Sequence, residues 1–458
     1  MGTFWTIRNG FSTVVQRTLR FPQSPLYCIL SWVAVRLGEP IEIVLRFPSV
    51  LAMALASLLL YRLGTHLFEK ETALHSVILF VSFPPVAFAA ADARPYAFAL
   101  VATIGALWML VRWLENGRLR HACAYVALAA ATVHFHFLFA TTLVGHALYA
   151  AGQLRGPGPV RTKHLLAAAS AIAVLLLPLT PFILGLLETW GSRTVMARPS
   201  LGMLVGVFAP TFAVGSLFIG WLLAAWLFPG VMFRQSSIPR RVFLLILASL
   251  GVPTISLYVI SRIGPFVFLP RYLLCTVPGL VLLAGWAVRA IEPVRARHFV
   301  AAAQLLTMLA LQGTTTQHTQ ENWRSAAEVV RRITSGTSTP VLLSGTFAES
   351  ANLEWLSDPK HLDYLLAPFS VYPPGGTPLV LPIRRDEKSE AFVDKLIATS
   401  IGRNERIVLI ERSCFVLCSS WESWLGSRLS PRGFGSKNLG VFGTIAVSLF
   451  ERKQPARP

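Results

Sequence analysis

The sequence is poor in charged residues, and above all in acidic ones. Charged residues make up 14% of the 458 residues, hydrophobic residues make up 54%, and no Asp or Glu occurs before residue 39. A soluble domain of this length needs more charge on its surface, so the composition excludes a wholly soluble protein. It indicates a chain whose solvent is largely lipid.

Cysteine is also scarce, and its spacing matches no cofactor or metal motif. The five cysteines are Cys28, Cys123, Cys275, Cys414 and Cys418. No CxxC or Cys/His zinc spacing occurs, and the C-terminal part has no G-x-G-x-x-G or P-loop pattern. We therefore expect no metal and no bound cofactor. Cys414 and Cys418 either pair in an oxidising compartment or are two unrelated residues.

The formal net charge of +19 does not indicate a nucleic-acid-binding protein. Residues 1–314 carry 24 Lys and Arg against eight Asp and Glu, and this excess lies between apolar segments. There it sets membrane orientation. No basic stripe with interleaved aromatic residues is present, so we expect no nucleic-acid partner.

Apolar segments long enough to cross a membrane fill the first 314 residues. A spanning helix needs about 20 mostly apolar residues. The predicted segments are 47–63, 73–91, 96–113, 121–152, 165–186, 208–229, 242–261, 270–289 and 298–314. The fourth is too long for one helix, and His134-Phe135-His136 divides it. The fold class is therefore mainly α, a polytopic bundle of about ten transmembrane helices over residues 1–314.

The loops between these segments alternate in basic content. One set holds 14 Lys and Arg, whereas the other holds only Arg94, Arg193, Arg198, Arg262 and Arg271. The positive-inside rule makes the richer set cytoplasmic, which places both chain ends outside. Residues 1–20 and 25–37 are too short or too charged to span, and they predict two interfacial helices.

Composition changes after residue 314, where acidic residues appear and apolar runs shorten. Residues 341–343, 407–410 and 445–450 predict strands, and residues 325–333 and 421–429 predict helices. Residues 315–458 therefore form a small α/β domain, outside the membrane on this topology.

Arginines at the outer helix ends are the candidate binding residues. Asp92 and Arg94 lie between two apolar helices, Arg46 precedes another, and Arg271 and Tyr272 follow Pro270. A guanidinium group fits phosphate oxygens in a fork, so three such arginines favour an anion site. The alternative is a helix cap at Asp92 with arginines that only reach the interface.

His134 and His136 flank Phe135 at another outer break in the helices. As neutral imidazoles they either contact a substrate or carry a proton. The alternative is a pair of interfacial histidines beside aromatic anchors. A metal is less expected, because no third ligand lies nearby in the sequence.

Five short motifs in order resemble the bacterial family-39-type glycosyltransferases, relatives of the protein O-mannosyltransferases and of the lipid A aminoarabinose transferase. The motifs begin at Gln23, Leu45, Asp92, His134 and Pro270, and they read QSPLY, LRFPS, DARPY, HFHF and PRYLL. The resemblance covers roughly residues 10–290. It implies a GT-C membrane fold in the bacterial plasma membrane.

The resemblance also implies an activity. Family members take a sugar from a polyprenyl-phosphate carrier at the outer face and pass it, with inversion, to an acceptor hydroxyl of a lipid, glycan or protein. Arg46 and Arg94 would then hold the phosphate, with Arg271 and Tyr272 in the same cavity. The remaining substrate-binding candidates are Tyr96, His134 and His136.

Two departures from the family concern the catalytic base and one phosphate contact. The family's acidic pair lies roughly 20 residues before the Pro-Leu-Tyr segment, which here falls at or before Met1, and Gln23 stands where a Lys often occurs. We expect a further helix and the base upstream of Met1. Asp92 is the fallback base, with Glu188 as a second candidate acid. An inactive truncated relative, a transporter or flippase for a lipid-linked solute, and a non-catalytic membrane partner remain alternatives.

Overall fold

The computed structural model describes residues 2–20, 24–38, 41–154, 156, 158–188, 198–234, 237–315, 321–335, 337–413 and 420–453. The predicted Cys414 and Cys418 pair lies outside these residues, as do Gln23 and Arg193. The described chain divides into two compact units. One is a helix bundle within residues 10–317, and the other contains residues 2–9 and 321–453.

The bundle is built from helices, short 3₁₀ turns and one pair of two-residue strands. Its α-helices are α2 (Phe11–Arg20), α3 (Pro25–Val35), α4 (Ile41–Leu67), α5 (Lys70–Ser82), α6 (Pro84–Ala91), α7 (Tyr96–Asn116), α8 (Leu119–Phe135), α9 (Ala140–Gln153), α10 (Thr162–Leu176), α11 (Thr180–Glu188), α12 (Leu201–Phe208), α13 (Thr211–Leu227), α14 (Arg240–Ile263), α15 (Val277–Arg289) and α16 (Val294–Thr315). The 3₁₀ turns are Phe137–Phe139, Leu177–Leu179 and Leu273–Thr276, and β1 (Met232–Phe233) pairs antiparallel with β2 (Ile291–Glu292).

Every predicted apolar segment is helical, but fewer unbroken helices reach the length of a span than the ten predicted. Among the described residues, Glu42–Leu67, Tyr96–Asn116, Thr162–Gly185 and Arg240–Ile263 are long and apolar enough to cross a membrane. Two bent pairs raise this number to six, namely α5 with α6 at 63° and α12 with residues 213–227 of α13 at 49°. Prolines and 3₁₀ turns cause the difference, because they divide apolar segments that composition alone reads as continuous.

Close helix contacts in the bundle depend on small residues. Gly285 of α15 lies against the first turns of α5, where a Cβ atom at this glycine would come 2.9 Å from the Thr72 carbonyl oxygen and collide with the Ser76 hydroxyl. Small residues let helix backbones approach in membranes, where dispersion contacts and hydrogen bonds drive packing. The backbones of α5 and α15 therefore lie in direct contact at Gly285.

The second unit contains a five-stranded sheet between helices. Its elements are α1 (Gly2–Ile7), α17 (Trp323–Thr334), β3 (Pro340–Ser344), α18 (Leu353–Ser357), α19 (Pro359–Leu365), α20 (Ala367–Val371), β4 (Thr377–Val380), α21 (Glu387–Leu396), β5 (Arg406–Arg412), α22 (Glu422–Leu429), β6 (Phe434–Phe442) and β7 (Ile445–Arg452). The order is β4-β3-β5-β7-β6, with β3 parallel to β4 and β5, and β7 antiparallel to β5 and β6.

Both faces of this sheet are covered, as the alternation of its side chains requires. Leu342 packs with Trp421 on one face, whereas Val341 and Leu343 pack with Trp323 on the other. Alternate residues of a strand point to opposite faces, so an uninterrupted apolar run predicts a strand that is buried on both. The predicted α/β character of this part of the chain is confirmed.

The N-terminal residues differ from the single interfacial helix predicted over residues 1–20. The helix is interrupted between Ile7 and Phe11, and α1 belongs to the sheet-containing unit. Trp5 is 2% exposed, and its indole N–H donates a 2.8 Å hydrogen bond to Asp363 Oδ2. Arg8 pairs with the same carboxylate at 2.9 Å. The single helix was wrong, because an aromatic and basic segment has the same composition whether it meets a lipid surface or packs in a protein unit.

Candidate functional site

The turn between α6 and α7 places Asp92 and Arg94 side by side. Asp92 ends α6, and its Oδ2 lies 3.2 Å from Nε of Arg94. The alternative role of Asp92 as the cap of α7 is not observed, because α7 begins after Pro95 without a side-chain cap. The Asp92 side chain is 16% exposed and that of Arg94 is 49% exposed, so the acid faces inward and the base faces outward.

Three aromatic rings from three different elements meet next to this turn. The His136 ring centroid lies 5.2 Å from that of Tyr96 and 5.2 Å from that of Tyr272. Arg271 Nη2 donates a 3.1 Å hydrogen bond to the Tyr272 hydroxyl. Arg271 and Arg94 both act electrostatically on the Tyr96 hydroxyl. The bundle therefore brings together two guanidinium groups that the sequence separates by 177 positions.

Helix α3 adds a tyrosine to the same region. The Tyr27 side chain is 3% exposed, and its hydroxyl lies close to the hydroxyls of Ser31 and Ser49 and within electrostatic reach of Asp92. Ser49 follows Pro48 inside α4 and is fully buried. Sequence reasoning did not single out Tyr27 or Ser49. The available signal was their position within the QSPLY and LRFPS motifs.

Four buried polar atoms in this region have no hydrogen-bond partner among the described residues. They are Tyr27 Oη, Ser49 Oγ, His136 Nδ1 and Asp92 Oδ2, the last of which has only its ion-pair contact with Arg94. Unpaired buried polar atoms are uncommon in native structures, because each loses its hydrogen bonds to water without replacement. We call Tyr27, Ser49, Asp92, Tyr96 and His136 the polar cluster. Such a group within a membrane bundle indicates a binding site.

Ser24 fixes the start of α3 relative to the end of α8. Its hydroxyl oxygen accepts the backbone N–H of Tyr27 at 3.2 Å and donates to the His134 carbonyl oxygen at 2.8 Å. This hydroxyl thereby caps one helix and ties it to another.

Two of the predicted binding residues do not join the polar cluster. The Nε2 atom of His134 lies 2.9 Å from the Leu175 carbonyl oxygen, so this ring joins α8 to α10. Arg46 is an exposed residue of α4 and lies next to Phe47, which is 56% exposed. The structure brings together Arg94, Tyr96, His136, Arg271 and Tyr272 from the predicted set.

Comparison with known proteins supports the resemblance seen in the sequence. Residues 22–183, about a third of the chain, match the family model described as dolichyl-phosphate-mannose-protein mannosyltransferase. These residues include the whole polar cluster. No curated protein sequence matches the chain.

The fold is similar to that of solved structures of ArnT from Cupriavidus metallidurans. The form bound to undecaprenyl phosphate has a TM-score of 0.52 at 14% identity, over 94% of this chain and 88% of that chain. The apo form has a TM-score of 0.55 at 13% identity, over 98% of this chain and 93% of that chain. The GT-C membrane fold that the resemblance predicts is therefore confirmed.

Proposed function

We propose that this chain is a membrane glycosyltransferase that moves a sugar from a polyprenyl-phosphate carrier to an acceptor hydroxyl, with inversion, at the outer face of the membrane. The observation that carries the proposal is the polar cluster, whose unpaired buried atoms lie beside Arg94 and Arg271. The relationship to ArnT and the mannosyltransferases supports it, and one of the similar ArnT structures holds undecaprenyl phosphate.

The arginines suit the phosphate of such a carrier. Arg94 is about half exposed, and Arg271 is exposed and lies over the face of Tyr272 with its guanidinium carbon 4.8 Å from the ring centroid. Charge-assisted hydrogen bonds from a guanidinium to a phosphate are roughly twice as strong as neutral ones. They stabilise the negative charge that develops on the phosphate as it leaves the sugar.

The polar cluster suits the sugar and the incoming hydroxyl group. Hydroxyl and imidazole groups both donate and accept hydrogen bonds, as sugar recognition requires. In the transfer, the acceptor oxygen forms a bond to the anomeric carbon while the bond from that carbon to the phosphate oxygen breaks. The bonding electrons leave with the phosphate, and the acceptor proton passes to a base. Attack opposite the leaving phosphate inverts the configuration.

Asp92 is the carboxylate that the described residues bring to the polar cluster. Its Oδ2 is buried and among these residues makes only the ion-pair contact with Arg94, which leaves a lone pair available to an acceptor hydroxyl. Arg94 Nε lies 3.2 Å from the same oxygen and forms an ion pair with it. We therefore assign Asp92 as the base that this chain offers, with Arg94 shared between Asp92 and the carrier phosphate.

Carrier binding tests this assignment without knowledge of the sugar. The full chain in detergent is titrated with undecaprenyl phosphate, as wild type and as the double variant Arg94→Ala, Arg271→Ala. Each lost charge-assisted contact is worth about 1.5–3 kcal/mol, so the double variant should bind at least about a hundredfold more weakly. Arg36→Ala is the matched control, because that exposed guanidinium stacks over Trp32 at the far end of α3.

Transfer from radiolabelled polyprenyl-phosphate sugars then separates enzyme from transporter or partner. A glycosyltransferase converts the labelled donor into free carrier phosphate and a labelled acceptor, and Asp92→Asn slows this step with little change in carrier affinity. Carrier binding that survives the double arginine variant would remove the phosphate assignment. Tight binding without transfer of any sugar would favour a flippase or a non-catalytic partner.

A further inference from the structure

A second group of potential ligands lies at the other end of α15. Glu71, His75 and His298 each offer one ligand atom, and these atoms all lie within 4.8 Å of one another. Arg271 precedes α15, whereas Arg289 ends it and contacts Glu71 at 3.1 Å. Thirteen helical residues span about 20 Å. This trio is therefore separate from the polar cluster.

His75 is buried without a hydrogen-bond partner for one ring nitrogen. It is 5% exposed, and its Nδ1 has no partner within the part of the chain that the structure describes. The ring faces that of His298, with centroids 6.3 Å apart. A buried imidazole nitrogen that neither donates nor accepts is destabilising unless a ligand uses its lone pair.

The spacing of the trio fits a tetrahedral ion better than it fits a hydrogen bond. His298 Nε2 lies 3.5 Å from Glu71 Oε1, beyond the usual hydrogen-bond range of about 2.7–3.2 Å. Bonds of about 2.0–2.1 Å to a tetrahedral zinc ion place neighbouring ligand atoms about 3.3 Å apart. Only a small movement of side chains is needed to bring all three atoms to that separation.

The Glu71 carboxylate is held in place by neighbours that leave room for an ion. Arg297, which is 2% exposed, donates to Oε1 at 2.7 Å, and Arg289 Nε lies 3.1 Å from Oε2. A carboxylate has about four lone-pair sites, so each Glu71 oxygen keeps one lone pair that an ion can use. Glu69 Oε1 lies 2.9 Å from Nε of Arg289 and balances the charge of that guanidinium. Hydrogen-bonded neighbours of this kind orient ligating carboxylates in metal sites.

We propose that Glu71, His75 and His298 bind a divalent transition-metal ion of the zinc class, with water as the fourth ligand. Two imidazoles and one carboxylate suit zinc, cobalt or nickel, whereas magnesium and calcium require oxygen ligands. The His298 side chain is 62% exposed, which gives the ion a path from water. The ion joins α5 to α16 and stabilises that end of the bundle.

Cobalt binding to the full chain tests the site, since tetrahedral Co²⁺ absorbs strongly in the visible range. Chelator-treated protein in detergent is titrated with Co²⁺ and then with Zn²⁺. We expect one tetrahedral Co²⁺ per chain, displaced by Zn²⁺, and an increase in melting temperature with either ion. His298→Gln should weaken binding at least about tenfold. Its side chain is mostly exposed, so the variant should fold.

His66→Gln is the matched control, because His66 pairs with a single carboxylate, that of Glu115, at 2.7 Å. This variant should bind Co²⁺ like the wild type. Absence of a tetrahedral spectrum in the wild type, or equal affinity in His298→Gln, would overturn the proposal. Equal weakening in both variants would indicate adventitious binding to scattered histidines and would overturn it as well.

Discussion

Replacing Trp5 with alanine should detach α1 from the sheet-containing unit. The indole is 2% exposed, contacts the Tyr364 ring edge-on at a centroid distance of 5.2 Å, and donates to Asp363. Loss of a buried tryptophan side chain costs about 3–5 kcal/mol. At about 1.4 kcal/mol per factor of ten, the open state of α1 should become at least about a hundredfold more populated.

Hydrogen exchange on the full chain measures this opening directly. Amides of α1, and those of α20 against which it packs, should exchange at least about a hundredfold faster in Trp5→Ala. Trp5→Phe keeps an aromatic ring but loses the indole N–H and part of the buried volume, and Asp363 keeps its contact with Arg8 at 2.9 Å, so a smaller change than in Trp5→Ala is expected.

Trp32→Ala is the control, because Trp32 belongs to the bundle and packs against Phe11 there. Exchange in α1 should be unchanged in this variant. The reasoning fails if α1 already exchanges freely in the wild type, because the helix would then not be docked in solution.

Three further predictions concern packing and charge. Gly285→Ala should lower the free energy of unfolding by about 1–3 kcal/mol in a chemical denaturation assay, because the new methyl group collides with Ser76. Asp386→Ala should cost about 1 kcal/mol at neutral pH, since the Asp386 carboxylate caps α21 through the Ser389 N–H. That N–H also lowers the pKa of Asp386 in the folded protein. The extra stability of the wild type over Asp386→Ala should therefore be complete above the pKa of Asp386 in the unfolded chain, and it should disappear as the pH falls through the lower pKa of the folded state. Burial raises the pKa of Glu411, so wild-type stability should fall as the pH rises through that raised pKa, and Glu411→Gln should remove this dependence.

The sequence predicted the strands that are apolar on both faces and missed those that are not. β3, β5 and β7 stand out because their buried runs are continuous. β4 contains Pro378 and lies at the sheet edge, and β6 contains Gly435 and Gly440, which weaken any strand pattern. β4 is placed by pairing with β3, which is far away in the sequence, and β6 is placed by its hairpin with β7.

The candidate site, like the sheet, could be predicted from the sequence only in part. Motif order indicated Arg94, His136 and Arg271, but only the packed bundle shows that the His136 ring meets two tyrosines while His134 bonds a distant carbonyl. The His75 and His298 pair could not be predicted at all. The two residues are 223 positions apart, and neither belongs to a ligand motif.

The composition of the sheet-containing unit restricts how the chain crosses the membrane. Residues 2–9 and 321–453 form one compact unit, and residues 315–458 carry 17 Lys and Arg and 14 Asp and Glu, too many charges for a unit that lies across a bilayer. The chain therefore leaves this unit after Asn9 and has rejoined it by Glu321 on the same side of the membrane. We therefore expect an even number of membrane crossings between residues 10 and 317, whichever broken helices count as spans.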